Sequence, residues 1–577
     1  MTTIPMPPAE SLPVPEGFPV EWADPADEAR FWMRDRMHWP DPVSPLAFSV
    51  IEATFPVGFQ AAARAFAAPL GNFGMRRINT YFYMGAAPQP EAPEEMAAAA
   101  ARSKVALEAA MARIRVAWER EYLPEIHLHL AAWEAFDLPG ATMSELLVHL
   151  DDTIIRFTRL MELHFLAVFP AYMALSELDE LHRQLLGGDE ATGAFDAYRL
   201  VAGFPNKTVE VGHALWKLSR TVRARPEVLA TLVSRWPSTG DALAALAGTP
   251  EGAEFLVQFR RYLEDYGQRG DKFFDLDRPS WVEDPTPALD RLRAYVAQDD
   301  DEDPAAARRE LAEGREQARA LVRERLAASP ADARERFEFL LDAASAGVVI
   351  TEDHGFWIDF RASYRVRRVL SEFGWRLVPA ALNVPGDVFF LTLDELRETA
   401  AAARTPDCRA LVEARRAEME HFARVRPPEH LGTRPPPPPG DVPPDPFMRS
   451  MAKFNGRVYG TAPSGEPAAD PAVVKGHPGS PGRVRGVARI VRDLDEAARL
   501  APGDVLVAET TTPPWTPLFA TVAAVVTDTG GVLSHCAVVA REYGLPAVVG
   551  TGDGTDRIPD GVMVEVDGDA GIVRIGG

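Results

Sequence analysis

A multidomain fold, mainly α-helical with a smaller α/β domain at its C-terminal end, is what these 577 residues predict. Three observations carry that expectation. From about residue 96 to 425, Ala, Glu, Arg and Leu recur with apolar residues at three- and four-residue spacing, the period of helices with one buried face. Near the C-terminus the pattern changes. The apolar run Val522 to Val526 reads as a buried strand, Gly530 and Gly531 break it, and Ser534 is placed to N-cap a helix from His535 to Tyr543. A 46% share of hydrophobic residues over this length is enough to fill several ordinary cores.

Taken in order, residues 1–95 mix prolines, aromatics and short apolar runs. Trp39 to Leu46 reads as turn-rich, and Arg76 to Tyr83 as a strand with alternating faces. In the helical stretch, Met161 to Tyr172 is apolar around most of a helical circumference, and His164 within it reads as a core histidine. Phe204 to His213 opens with turn chemistry and runs into a helix containing Leu215 and Leu218. Gly267, Gly270, Asp275 and Pro279 to Pro285 punctuate a loop of the kind that carries binding residues on a rigid scaffold. The prolines from Arg426 to Pro446 predict an extended, semi-rigid connector over residues 426–469, and residues 470–577 form the last domain.

The net charge of −23 argues against nucleic acid as a partner, because phosphate backbones demand clustered Lys and Arg. The sharpest acidic run, Asp299 to Asp303, is a solvated loop leading to a helix N-terminus at Pro304. Cys408 and Cys536 are far apart in the chain and give neither a disulfide framework nor a metal-ligand spacing, which fits a reducing cytoplasm, and no metal site is expected. The first residues lack the pattern of a leader, and no run is expected to reach a membrane span.

Two stretches carry chemistry. A helix N-terminus presents backbone N–H groups and the positive end of the dipole, so His535, in the first turn, is placed where a phosphoryl group is favoured. The second stretch is Glu352 to Asp359, where three carboxylates and His354 lie beside Phe356 and Trp357, followed by Arg361, Tyr364 and Arg365. Were it helical throughout, Asp353 and Trp357 would share one line and Glu352 and Phe356 another; Gly355 alternatively marks a turn before the helix proper. A histidine oriented by a carboxylate next to an aromatic wall suits deprotonation of an alcohol or phenol. A helix-capping acidic cluster with buried aromatics explains the composition equally well.

The run Gly530-Gly531-Val532-Leu533-Ser534-His535 resembles the swivelling phosphohistidine domain of the phosphoenolpyruvate-utilising enzymes, a family that includes phosphoenolpyruvate synthase, pyruvate phosphate dikinase and rifampicin phosphotransferase. Gly476 to Gly482, Gly486 to Val491, Pro502 to Val507, Thr512 to Phe519, Asp560-Gly561 and Val566 to Arg574 resemble its other segments, so the likeness covers residues from about 470 onward. Residues 1–425, with Arg365 to Leu370 and Asp387 to Leu396, resemble the substrate domain of the rifampicin-phosphotransferase branch. The order of the two parts is similar to the histidine-bearing subunit of phenylphosphate synthase.

That resemblance implies a dikinase-type phosphotransferase. His535 would carry a phosphoryl group received from Mg-ATP through a separate ATP-grasp partner, and would pass it to a hydroxyl of a small, apolar or aromatic substrate. Charge stabilisation would fall to backbone N–H groups around Gly530, Gly531 and Ser534, with Arg541 as a further phosphate-binding residue. His354 would be the base, oriented by Asp353 or Glu352, and Trp357, Asp359 and Arg365 would bind substrate. Two alternatives stay open at this point. One is an ATP-independent lyase or dehydratase that uses His535 and the acidic residues; the other is a non-catalytic ligand-binding subunit.

Overall fold

The computed structural model describes residues 10–22, 24–68, 73–86, 93–187, 197–270, 272–274, 276–300, 303–434, 456–458 and 470–576. Two compact units emerge. One comprises Met1–Pro170, Asp275–Asp277 and Arg361–Ser450; the other comprises Ala171–Phe274, Arg278–Phe360 and Met451–Gly577. Compactness thus groups the C-terminal α/β region with part of the helical stretch, whereas the composition-based division at 425 and 469 follows sequence order.

The first unit contains a five-stranded antiparallel sheet formed by β1 (Glu10–Ser11), β2 (Phe31–Arg34), β3 (Phe73–Ile78), β4 (Tyr81–Ala86) and β5 (His430–Arg434), in the order β1-β5-β2-β4-β3. Phe18, Trp32, Ile78, Tyr81, Tyr83 and Leu431 pack together against it. The single strand expected over Arg76 to Tyr83 is in fact a hairpin. Asn79 and Thr80 take positive φ of 47° and 73°, so β3 turns back as β4 with Ile78 paired to Tyr81. Asparagine tolerates that conformation through its short polar side chain, and a two-residue loop with both residues at positive φ matches strand twist.

β5 occupies the start of the stretch expected to be a connector, and the proline-rich part beyond Arg434 lies outside the described residues, as do Asp275, Asp301 and Glu302. Among the described residues, helix Pro45–Ala65 does reach the length and apolarity of a membrane span, contrary to expectation. Leu46, Val50, Ile51 and Phe55 on it are buried, so its apolarity serves a protein core. Residues Met161 to Tyr172 are buried around most of the circumference of helix Met143–Leu186, as their composition predicts.

In the second unit, helices Lys207–Arg223, Pro250–Tyr266 and Thr286–Ala297 share a core of Leu215, Trp216, Phe255, Phe259, Leu289, Leu292 and Tyr295, joined by Phe356. Asn206 and Thr249 cap the first two through side-chain oxygens that accept N–H groups one turn on. The α/β region is an eight-stranded mixed sheet of β6 (Val473–Lys475), β7 (His477–Ser480), β8 (Arg483–Ile490), β9 (Val505–Ala508), β10 (Ala524–Thr527), β11 (Ala547–Val549), β12 (Met563–Asp567) and β13 (Ile572–Ile575). Its order is β6-β13-β12-β8-β9-β10-β11-β7, with β8 through β11 parallel. Alternate residues of β9 enter opposite cores: Val505 and Val507 join Ala524, Val526 and Val548, while Leu506 and Ala508 join Trp515, Phe519, Cys536 and Val539. Parallel strands buried on both faces read as continuous apolar runs, which is why β10 was visible in the sequence.

Helix His535–Glu542 lies on the second of those faces. Within this unit the α/β region is tied to the helices by polar contacts. Arg291 Nε donates to Pro514 O at 3.1 Å, Gln298 Nε2 to Ala520 O at 2.5 Å, and the Gly203 N–H to Glu542 Oε1 at 3.0 Å. Arg457 bonds Ser176 O at 2.9 Å and Asp179 Oδ2 at 2.9 Å.

Candidate functional site

The turn after β10 sets the position of His535. Gly530 takes φ of +91°, which a side chain disfavours, and a Cβ on Gly531 would come within 2.6 Å of the Gly456 and Arg457 carbonyls. Ser534 then caps the helix: its Oγ accepts from Ala537 N at 3.4 Å. His535 is therefore delivered at the helix N-terminus, with its side chain 9% exposed.

Two groups hold the imidazole. Nδ1 lies 3.2 Å from Glu352 Oε2, and Nε2 lies 3.5 Å from the buried Thr516 hydroxyl. Glu352 Oε2 also accepts from Thr208 Oγ1 at 2.7 Å. Burial by itself would raise the Glu352 carboxyl, but the charge and hydrogen bond of His535, the Thr208 hydroxyl and the charge of His354 together hold it below its ordinary value. An ionised Glu352 can only accept, so the contact sets a proton on Nδ1, and in the neutral ring the lone pair that a nucleophile requires is on Nε2.

The residues beside Glu352 point elsewhere. Helix Ala331–His354 does not end in a turn at Gly355 but continues through a wider, π-helical segment, Gly355–Ala362. Consecutive side chains on it diverge by roughly 100°. Asp353 accordingly accepts the Lys207 N–H at 2.6 Å, and burial pushes its carboxyl up to about 6 against the opposing effect of that bond and the Lys207 charge. His354 meets Ile350 and Asp359, and its charge also acts on Glu352. His354 Nδ1 donates to Ile350 O at 2.9 Å, and its Nε2 faces Asp359 Oδ2 at 3.6 Å. Both of those side chains are buried.

The Gly531 N–H donates to Val458 O at 3.0 Å and the Ser534 N–H to Gly531 O at 3.0 Å, so these two are committed within the protein; for Gly530 the structure shows the strained turn alone. Arg541 is six residues beyond His535, about 240° around the helix. Its guanidinium is buried, lies 5.0 Å from the Tyr198 ring, and is lowered to about 10 by burial. Arg541 and Glu542 line a small cavity with Tyr172, Tyr198, Val348, Thr351 and Leu533. Arg365 belongs to the first unit, where it pairs with Glu134. Trp357 is half-buried, perpendicular to Phe356, with the Lys207 ammonium 5.8 Å from its ring. Cys536 is buried, and its thiol is pushed up to about 11, which suits packing and not redox chemistry.

Sequence reasoning overlooked Lys207, Thr208 and Thr516. The first two follow Asn206, whose N-cap chemistry marked a helix start without marking a site. Thr516 lies in Thr512 to Phe519, a segment that resembles the family's without a local pattern that marks a site.

The sequence matches two family descriptions: the rifampicin phosphotransferase fourth domain over residues 164–352, and the mobile domain of PEP-utilising enzymes over residues 500–571. Glu352 closes the first span and His535 lies in the second. Among curated proteins it is similar to chondramide synthase of Chondromyces crocatus, at 38% identity over 98% of this chain and 14% of that protein. It is also similar to the uncharacterized phosphotransferase YvkC of Bacillus subtilis, at 30% over 72% of this chain and 47% of that protein. A rifampicin phosphotransferase of Streptomyces sviceus is 32% identical over 64% of this chain and 40% of its own length. The chain thus spans less than half the length of these relatives.

Proposed function

From the matches to a rifampicin phosphotransferase domain and to the mobile domain of the phosphoenolpyruvate-utilising enzymes, we propose that the chain is a phosphotransferase component of that family whose His535 carries a phosphoryl group to the hydroxyl of a small molecule. The observation that carries this reading is the His535 Nδ1 to Glu352 Oε2 contact at 3.2 Å. It leaves Nε2 as the nucleophilic atom at a helix N-terminus.

Mg-ATP supplies the phosphoryl group, through an ATP-grasp partner. In the transfer step the acceptor oxygen forms a bond to phosphorus while the bond from phosphorus to Nε2 breaks. The electron pair returns to Nε2, and the hydroxyl proton passes to a base. Glu352 keeps the Nδ1 proton in place throughout, so the ring leaves as neutral imidazole in a single tautomer. Thr516 Oγ1, beside Nε2, is placed to donate to a phosphoryl oxygen. The base in this reading is His354, held by Ile350 O on one nitrogen and facing Asp359 on the other. Phosphoryl transfer demands positioning and charge stabilisation above all, and the helix N-terminus supplies part of the latter. Trp357 and the neighbouring rings provide an apolar wall for the acceptor, and two buried, separate thiols suit the cytoplasm as its location.

Label transfer tests the proposal. The purified chain is incubated with β-labelled ATP, with and without an ATP-grasp partner, beside a His535→Ala control. Acid-labile, base-stable label that appears only with the partner present, on the wild-type chain and not on His535→Ala, is the expected result. If a partner that demonstrably turns over ATP leaves His535 unlabelled, the carrier reading is wrong and ATP-independent chemistry replaces it.

A further inference from the structure

Lys207 spends its ammonium in an uncommon setting for a partly exposed lysine. Nζ lies 3.0 and 2.8 Å from the two oxygens of Glu210, and 5.7 and 5.8 Å from the ring centroids of Phe356 and Trp357. Those rings stand at 90° to each other with centroids 4.9 Å apart. Tyr266 adds a third ring, 6.4 Å from Phe356 and tilted by 61°, and its hydroxyl donates to Glu210 Oε1 at 2.8 Å. Two aromatic rings and one carboxylate therefore lie about a positive nitrogen, and a third ring packs on Phe356 and hydrogen-bonds the same carboxylate.

A charged pair three residues apart on a helix is a weak interaction and needs no rings to form. Aromatic faces crossed at steep angles around a carboxylate are, by contrast, the arrangement that recognises amines and quaternary ammonium groups, because each ring presents its negative face. The cage is also anchored to the reactive histidine. The Lys207 N–H binds Asp353, the next residue Thr208 binds Glu352, and Glu352 binds His535. Two adjacent residue pairs thus seat both the cage and the imidazole.

We infer that this cage recognises a positively charged amine or quaternary ammonium group on the acceptor, and that Lys207 is a resident stand-in which the acceptor displaces. Assignment of the bound group to the acceptor rests on the phosphoryl-carrier reading; the cage's preference for a cation does not.

Calorimetric titration of the full chain with choline, and with its uncharged carbon isostere 3,3-dimethylbutan-1-ol, tests this. Lys207→Ala keeps the backbone N–H that binds Asp353 and empties the cage. It should bind choline roughly tenfold more tightly than the wild type and leave the isostere unbound. Lys207→Arg, which keeps a cation in place, should show no such gain, and Trp357→Ala added to Lys207→Ala should abolish it. A folded Lys207→Ala protein that binds neither compound, or binds both equally, overturns the inference. Should that variant fail to fold, Lys207→Gln, which removes the resident charge and keeps the same backbone N–H, serves instead: choline affinity no greater than the wild type's overturns the cage. His535 labelling is read on the same preparations. Label without choline binding removes the cage alone, and choline binding with unlabelled His535 removes its assignment to an acceptor.

Discussion

His535 and Glu352, 183 residues apart in sequence, meet through Nδ1 and Oε2 at 3.2 Å, and both side chains are buried. The pair joins a residue of the α/β region to one of the helical region within a single compact unit. It gives Glu352 a role that depends on this contact: it can act on His535 only while the two regions are together.

Glu352→Gln should therefore separate the half-reactions. Gain of label by His535 from the donor should change little, whereas transfer from His535 to an acceptor should fall on the order of 10²-fold, because the tautomer is no longer enforced. Rapid-quench measurement of each step checks this. Equal loss in both steps would show that Glu352 acts outside the transfer state. The pH dependence has a fixed sign. The Glu352 carboxyl is held below its ordinary 4.5, so its contribution to stability is present above that pH and is lost as the pH falls through the lower folded value. The stability gap between wild type and Glu352→Gln should narrow in acid.

Asp353 behaves in the opposite sense. Burial raises its carboxyl from 3.8 to about 6, so the fold favours its protonated form. The corresponding stabilisation is complete below pH 3.8 and is lost as pH rises through about 6. Asp353→Asn retains an oxygen for the Lys207 N–H. Above pH 6 it should be more stable than the wild type, by on the order of 1–3 kcal/mol, and the advantage should shrink as the pH falls below 6. Denaturant midpoints at pH 5 and pH 8 provide the comparison.

The turn residues carry a steric prediction. Gly531→Ala would drive a Cβ to 2.4 Å from Arg457 O and 2.5 Å from Gly456 O, both backbone atoms that cannot swing aside. The 456–458 segment, bonded to the turn through Val458 O and Arg457 O, would be displaced. A loss of about 1–3 kcal/mol is expected in thermal unfolding, together with poorer labelling of His535.

What could be read from sequence follows physical range. The strand read at Val522 to Val526, the Gly-Gly break and the Ser534 cap are determined by neighbours within a turn or two; the break and the cap stand where the pattern placed them, with Tyr543 as the C-cap of the helix, and the strand runs Ala524–Thr527. The hairpin at Asn79-Thr80 was hidden because residues on either side alternate as one strand would. The partners of Glu352, Asp353 and His354 were not legible, because three consecutive helix residues point in three directions and composition records only that they are adjacent. Thr208 and His535 reach Glu352 by tertiary packing, which leaves no local pattern.

Glu542 links proton uptake to the seating of the α/β region. Its Oε1 accepts the Gly203 N–H at 3.0 Å, in a buried setting that pushes its carboxyl up to about 7. The charge of Glu352 adds to that rise, while the Gly203 hydrogen bond and the charges of Arg315 and Arg308 oppose it; Arg541 and Tyr198 line the same small cavity. With a folded value above the ordinary 4.5, the favourable contribution is complete below pH 4.5 and is lost as pH rises through about 7. Release of the α/β region would expose Glu542 to water and return its carboxyl to the ordinary range, so release should become easier as pH rises through neutrality. Hydrogen exchange at the Gly203 amide, corrected for its intrinsic pH dependence, should show protection that declines between pH 6 and pH 8. Glu542→Gln keeps an oxygen for that amide but has no proton to lose, and its protection should be flat over the same range. A flat profile in the wild type would remove the link between protonation and seating.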